Sequence, residues 1–371
     1  MIPVAVPYIA RNSAKYVNEA LADKAISGLF GRHIPEFERM FAQYVGVEHA
    51  VSCANGTVAL HLALAGQNIG PGDEVLVSAL TNMATFFAVI YCGATPVPVD
   101  IDLDTYCMSV DDCRRKITPR TKAIMVVHLF GQCADMDELT ELAEANGLLL
   151  FEDCAESHGG TFNDRQSGSW GIGGCFSFFA NKIVNTGEGG MVVTNDAAFA
   201  DRMRSLRSLA FGKKQKFLHE TVGYAYRMDN LKAALGCAQM EEIDHLVDIK
   251  VRMGQTYDRM LRDEKSLILP AARQNVKNVY WMYHLRLADG VAPHRETILE
   301  ELRSDGVETR QGFVSYTLQP FADRQVVSAN PCPNADKVSF STFYLPSSHD
   351  IEEAEQEIVV EKLGRTLRKY A

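Results

Sequence analysis

From residue 49 onward the chain alternates two hydrophobic patterns. Short, unbroken apolar runs at 49–54, 74–79, 95–100, 123–130, 148–153, 174–179 and 190–195 predict strands. Between most of them, apolar residues recur every three or four positions and predict helices at 84–92, 109–117 and 135–146. A further apolar helix is expected from Asn55-Gly56-Thr57 to about residue 65, and a charged one from 195 to 209. Two helices should precede the first strand, at 13–25 and 34–45; in the second, Ile34, Phe37, Phe41 and Val45 fall on one face. Unbroken apolar strands are those whose sheet is covered by helices on both faces, so the pattern predicts an α/β fold with a mostly parallel sheet. A long helical tract at 228–263 then leads to a strand at 280–287, a helix at 294–305, a strand at 307–313 and an amphipathic helix at 351–370. The expected organisation is a large α/β domain over 1–245, including the N-terminal helices, and a smaller α+β domain over 246–371.

Composition narrows the function classes. A formal charge of −10 gives no basic face for a nucleic-acid backbone. No apolar run approaches the ~20 residues of a membrane-spanning helix. The N-terminus lacks the basic start and cleavage site of a signal peptide, so a cytoplasmic location is expected. The nine cysteines are odd in number, with no Cys-x-x-Cys pair, which suits neither a disulfide framework nor a zinc site. The ten histidines show no metal-ligand spacing, and no metal is expected.

The chemistry gathers at strand ends, where open α/β sheets collect ligands. The run Cys175-Phe176-Ser177-Phe178-Phe179 breaks into a polar turn holding Lys182, then returns through Thr186-Gly187-Glu188-Gly189-Gly190. A lysine on such a turn is either a solvated side chain or a desolvated amine able to condense with a carbonyl. Asp153, ending the 148–153 strand, is either a helix N-cap or the partner of a buried cation. Gly56-Thr57 is either a plain turn with an N-cap or an anion cup at a helix N-terminus. Together, Lys182, Asp153, Gly56, Thr57 and Ser177 supply what pyridoxal 5'-phosphate needs: an amine for its aldehyde, a counter-ion for its ring nitrogen and a cradle for its phosphate.

At these residues the sequence resembles the DegT/DnrJ/EryC1/StrS sugar aminotransferases, of the aspartate-aminotransferase (type I) fold. Further matching stretches are Glu152-Asp153-Cys154-Ala155-Glu156, Tyr226-Arg227-Met228 and Glu308-Thr309-Arg310, so the resemblance spans nearly the whole chain in order. It implies a seven-stranded mixed sheet and a transaminase using L-glutamate as donor and a keto sugar as acceptor. The nearest pattern is that of perosamine-type members, which aminate a GDP-linked 4-keto-6-deoxyhexose. In that pattern Lys182 carries the cofactor and moves protons, Asp153 pairs with the ring nitrogen, and Glu156 lies near the ring's phenolic oxygen. Gly56, Thr57 and Ser177 form the phosphate cup, and Arg227 belongs to a loop entering the partner's site in a homodimer with shared active sites. Arg310, Phe313 and Thr317 fall on the substrate side. The family has an aromatic where Asn82 stands, an asparagine where Ala225 stands, a histidine at Thr317 and a tyrosine at Val314. Phe86 and Lys232 are the expected substitutes near the cofactor. Lys213, Lys214 and Lys216 are either a solvated basic loop or diphosphate contacts. Two alternatives remain: a transaminase for a smaller keto substrate such as a ketose phosphate, and a dehydratase of the same fold. The dehydratases carry histidine at the position of Lys182.

Overall fold

The structure, a computed structural model, describes residues 1–212, 214–219, 221–322 and 331–370. Helices α1 (Ser13–Ala22) and α2 (His33–Val45) precede strand β1 (His49–Cys53). Strands and helices then alternate through α3 (Gly56–Gly66), β2 (Glu74–Ser78), α4 (Ala84–Tyr91), β3 (Thr95–Val99) and α5 (Val110–Lys116). They continue through β4 (Thr121–Val127), α6 (Met136–Ala145) and β5 (Leu149–Asp153). A small hairpin, β6 (Thr161–Phe162) and β7 (Arg165–Gln166), leads to β8 (Gly173–Ser177) and β9 (Gly190–Thr194). Seven of these strands form one sheet in the order β1-β9-β8-β5-β4-β2-β3, in which only β9 runs against its neighbours. No described helix is long and apolar enough to cross a membrane.

Both faces of this sheet are covered, as the apolar strands require. On one face, Phe37 and Phe41 of α2 pack on Phe176 and Phe178; the Phe41 ring lies 4.8 and 5.2 Å from those two, edge to face. On the other, α3 is apolar nearly all round and is buried between the sheet, α4 and α7 (Ala197–Leu206). Two further helices, α8 (Asn230–Met240) and α9 (Ile243–Leu261), lead to the C-terminal elements. These are β10 (Leu267–Ile268), β11 (Val276–Lys277), β12 (His284–Leu287), α10 (Arg295–Ser304), β13 (Arg310–Gln311) and β14 (Thr342–Tyr344), closed by the helix Glu353–Leu367. Strands β10, β12, β14 and β13 make an antiparallel sheet with its own core, whereas β11 joins the β6–β7 hairpin.

Four elements differ from the sequence pattern, each for a tertiary reason. The tract at 228–263 breaks at Glu241-Glu242, whose carboxylates anchor the N-terminal segment. Glu242 accepts from the Tyr8 hydroxyl (2.7 Å) and the Arg11 N–H (3.0 Å), and Glu241 accepts from the Asn12 amide (2.7 Å). The run at 123–130 leaves the sheet after Val127, because Phe130 takes a left-handed backbone (φ 58°) and turns its N–H onto Glu156 at 2.9 Å. The strand expected from 280 starts only at His284, since Tyr280 is also left-handed (φ 45°) and its hydroxyl is tied to Asp258 at 2.8 Å. Of 307–313, only Arg310–Gln311 pairs as strand.

Lys250, on α9, is 2% exposed, and its ammonium donates to the Ser347 carbonyl. Burial pushes its pKa down from 10.5 to about 7. The unfolded chain therefore binds a proton that the folded chain gives up. The resulting penalty is absent above the unfolded pKa, grows as pH falls, and is complete below the folded one. The expected outcome for Lys250→Met is a stability gain larger at about pH 6 than at about pH 10 by ~2–4 kcal/mol, read by urea denaturation. An equal effect at both pH values would show that Lys250 is not held near neutrality.

Candidate active site

Strands β4, β5 and β8 end at the same edge of the sheet. There Val127, Asp153 and Ser177 open onto a cavity of about 680 Å³. Of the residues singled out in the sequence, Gly56, Thr57, Asn82, Asp153, Glu156, Ser177, Lys182, Arg310 and Phe313 all lie on its wall. The first seven come from the sheet edge and the helices behind it, whereas Arg310 and Phe313 arrive from the strand Arg310–Gln311 of the C-terminal sheet and the residues just after it.

Lys182 is 9% exposed, and Asp153 and Glu156 are 5% exposed. Burial pushes the Lys182 amine below its ordinary value of 10.5, while the carboxylates of Glu156 and Asp153 push it back up. Its Nζ lies 3.5 Å from Glu156 Oε1. Burial also raises Glu156 from 4.5 to about 7; the nearby Lys182 ammonium and the Phe130 N–H restrain that rise. Burial thus moves the amine down and the carboxyl up, each restrained by the charge of the other. Asp153 is raised by the same desolvation, but the Thr85 hydroxyl (2.8 Å) and the Ala155 N–H (3.1 Å) hold its anionic form. The Ala155 bond joins Asp153 to the backbone two residues on, a local turn; no helix starts there for it to cap.

Opposite this group, α3 begins. The Asn55 side chain caps the helix by accepting from Val58 N–H at 3.0 Å. The N–H groups of Gly56 and Thr57, as first-turn residues, have no intrahelical acceptor. A Cβ on Gly56 would stand 2.7 Å from the Ser177 Cβ, so only glycine lets the helix start meet the end of β8. Helix N–H groups beside two hydroxyls make an anion cradle of phosphate type.

The remaining expectations fall elsewhere. Thr317 is not on the wall: it lies in the turn Tyr316–Leu318, with its hydroxyl on Ser315 and Asp336. Arg227 is also away from the wall, half-buried, and its Nη1 has no hydrogen-bond partner among the described residues. Asn82 accepts from the Ala84 N–H at 3.0 Å, at the start of α4. Phe86 does not take the missing ring's place; it is fully buried and stacked on Tyr316 with centroids 4.0 Å apart. Lys232 pairs with Asp229 at 3.4 Å, Lys214 and Lys216 are off the wall, and Lys213 lies outside the described residues. Sequence reasoning missed Thr85, Trp281 and Tyr344. Thr85 could have been found as a hydroxyl opening an otherwise apolar helix, and Trp281 as one of only two tryptophans.

The family model of the DegT/DnrJ/EryC1/StrS aminotransferases matches residues 7–364. The chain belongs to this family. Aminotransferases of the family depend on pyridoxal phosphate. This DegT-family chain is 40% identical to a GDP-perosamine synthase of Caulobacter vibrioides, over 99% of the chain and 98% of that protein. It is 38% identical to a GDP-perosamine synthase of Escherichia coli O157:H7, over 93% of each. Among solved structures, DesV of S. venezuelae, determined in complex with a ketimine intermediate, superposes with a TM-score of 0.89 at 31% identity, covering 95% of this chain and 94% of that one. The residues on the cavity wall fit the family's cofactor: a cradle that a Cβ would fill, a buried carboxyl whose upward shift by burial is countered by hydrogen bonds from Thr85 and Ala155, and a desolvated amine.

Proposed function

We propose that this chain is a pyridoxal-phosphate-dependent aminotransferase carrying an amino group from L-glutamate to a nucleotide-linked keto sugar, with a GDP-linked 4-keto-6-deoxyhexose as the first choice. The observation that carries the reading is the buried Lys182 amine, 3.5 Å from Glu156 at a sheet edge that also presents Asp153 and the Gly56–Ser177 cradle. The likeness to GDP-perosamine synthases supports the choice of sugar.

Gly56, Thr57 and Ser177 would hold the phosphate, Asp153 the ring nitrogen, and Lys182 the aldehyde carbon. When bound, the cofactor supplies an electron-withdrawing ring that lets a proton leave the carbon bearing the amino group. Asp153 keeps a negative charge where that ring nitrogen must stay protonated, with Thr85 and Ala155 opposing its neutralisation. Lys182, whose pKa burial lowers, would take up a proton at Nζ and return it. Glu156 accepts or releases a proton beside it near pH 7. Arg310, half exposed at the cavity wall, offers a cation for a diphosphate; its nearest carboxylate, Glu308, is 3.8 Å away. A dehydratase is disfavoured because Lys182 stands where those relatives carry histidine. Thr317 faces Asp336 outside the wall, so its departure from the family pattern carries no weight against the sugar assignment.

The site is further proposed to be shared between two subunits. The half-buried Arg227, whose Nη1 has no hydrogen-bond partner among the described residues, and the exposed Leu29, Phe30 and Val222 support a second chain there. Mixing Lys182→Ala with Arg227→Ala subunits is expected to restore activity, because each hybrid holds one intact site. Activity no higher than either parent, with hybrids shown to form, would place each site within one chain.

The substrate is tested by kcat/KM with L-glutamate for the GDP-linked keto sugar, its dTDP and UDP counterparts, and simple ketose phosphates. The GDP sugar is expected to lead by about tenfold or more. A ketose phosphate turned over about a hundredfold better than every nucleotide sugar would overturn the choice.

A further inference from the structure

Trp281 reaches the cavity from the C-terminal half of the chain, and its indole centroid lies 3.6 Å from Lys182 Nζ. The ring is fixed from two sides. Its Nε1–H donates to the Asn181 carbonyl at 2.8 Å, next to the lysine itself. Its backbone N–H donates to the Phe130 carbonyl at 3.1 Å. Phe130 in turn donates its own N–H to Glu156 Oε2 at 2.9 Å, and Glu156 Oε1 is the atom 3.5 Å from Lys182. The circuit closes: Lys182, Glu156, Phe130, Trp281 and Asn181 surround one amine. Gly131 lets the two segments meet, since with φ 97° a Cβ there would lie 2.8 Å from Tyr280 N.

We propose that Trp281 is a positioning residue that holds the free Lys182 ammonium against its indole face, within reach of Glu156, whenever the lysine is not bonded to the cofactor. The proposal rests on Lys182 being the cofactor's lysine. A transaminase lysine must let go in one half of the cycle and be recaptured in the other, and an unbranched four-carbon arm would otherwise swing away. A desolvated cation over an indole is the strongest of the cation–aromatic contacts. Glu156 alone is a weak anchor because it is itself partly protonated near pH 7, whereas the indole carries no group that titrates there, so the contact depends on the protonation of the lysine only. The ionisable groups coupled to Lys182 are Glu156, Asp153 and His158, with Tyr344 beyond Glu156 and Arg310 across the wall. Burial holds His158 neutral, at about 3, leaving the two carboxyls as the charges that compete with the ring.

The chain has two tryptophans, and Trp170 lies off the cavity wall, against Arg165. Trp170→Phe therefore makes Trp281 the sole indole. In that full-length protein, stripped of cofactor, Trp281 emission is expected to show a pH-dependent step as the Lys182 amine titrates. The step should vanish in Lys182→Met and survive in Glu156→Gln. A step that persists in Lys182→Met, or vanishes in Glu156→Gln, overturns the contact. Reloading with pyridoxal phosphate should abolish the step. If it remains, Lys182 is not the cofactor's lysine and the functional reading fails while the contact stands. Independently, the midpoint of Lys182 acetylation against pH, read by mass spectrometry, should fall by about one pH unit in Trp281→Leu and be largely recovered in Trp281→Phe. An unchanged midpoint in Trp281→Leu overturns the proposal; the emission arm does not depend on that variant folding.

Discussion

Keeping an amine in a dry place is the constraint around which this molecule is arranged. Lys182 sits on a turn that follows a fully buried strand, where water cannot stabilise its charge. Burial alone lowers its pKa, which favours the nucleophilic amine but not a group that must also return a proton. Glu156 and Asp153 oppose the loss of charge. Each carboxyl is in turn held by a fixed donor: the Phe130 N–H for one, Thr85 and Ala155 for the other. Backbone and hydroxyl groups that do not titrate thus counter part of what burial does to the two carboxyls.

That requirement explains irregular backbone elsewhere. Strand β4 stops short so that Phe130 can take a left-handed conformation and point its N–H at Glu156. The same turn offers its carbonyl to Trp281, so the C-terminal half of the chain is tied to the sheet edge within hydrogen-bond distance of the chemistry. Glu152, next to Asp153 but facing the opposite side of the strand, accepts from the N–H groups of Gly168, Trp170 and Gly171 and is bonded to His128. One strand end therefore presents one carboxylate to the cavity and uses its neighbour to fix the loop that enters β8.

Much of this was legible in the sequence, because unbroken apolar runs with polar residues at their ends mark the active edge of a covered sheet. Asp153, Ser177 and Lys182 were readable as strand-end groups, and Gly56-Thr57 as a helix start. What could not be read were contacts set by distant parts of the chain. Thr85 looks like one more residue of an apolar helix until the fold brings it 2.8 Å from Asp153. Trp281 looks like part of a strand until Tyr280 breaks that strand with a left-handed backbone. The break at Glu241-Glu242 is likewise invisible to helical periodicity, because its cause is the N-terminal segment more than two hundred residues earlier. Thr317 failed for the opposite reason: its position along the chain matched the substrate side, but a short turn directs its hydroxyl to Asp336.

The central claim, that the buried amine of Lys182 is the group that captures the cofactor, is tested most directly by chemical mapping. The wild-type protein is mixed with pyridoxal phosphate, reduced with borohydride, digested and read by mass spectrometry. The account predicts one modified peptide, with the label on Lys182, and no covalent label after reduction of Lys182→Ala. A label of equal yield on any other lysine, or one that persists in Lys182→Ala, would contradict it.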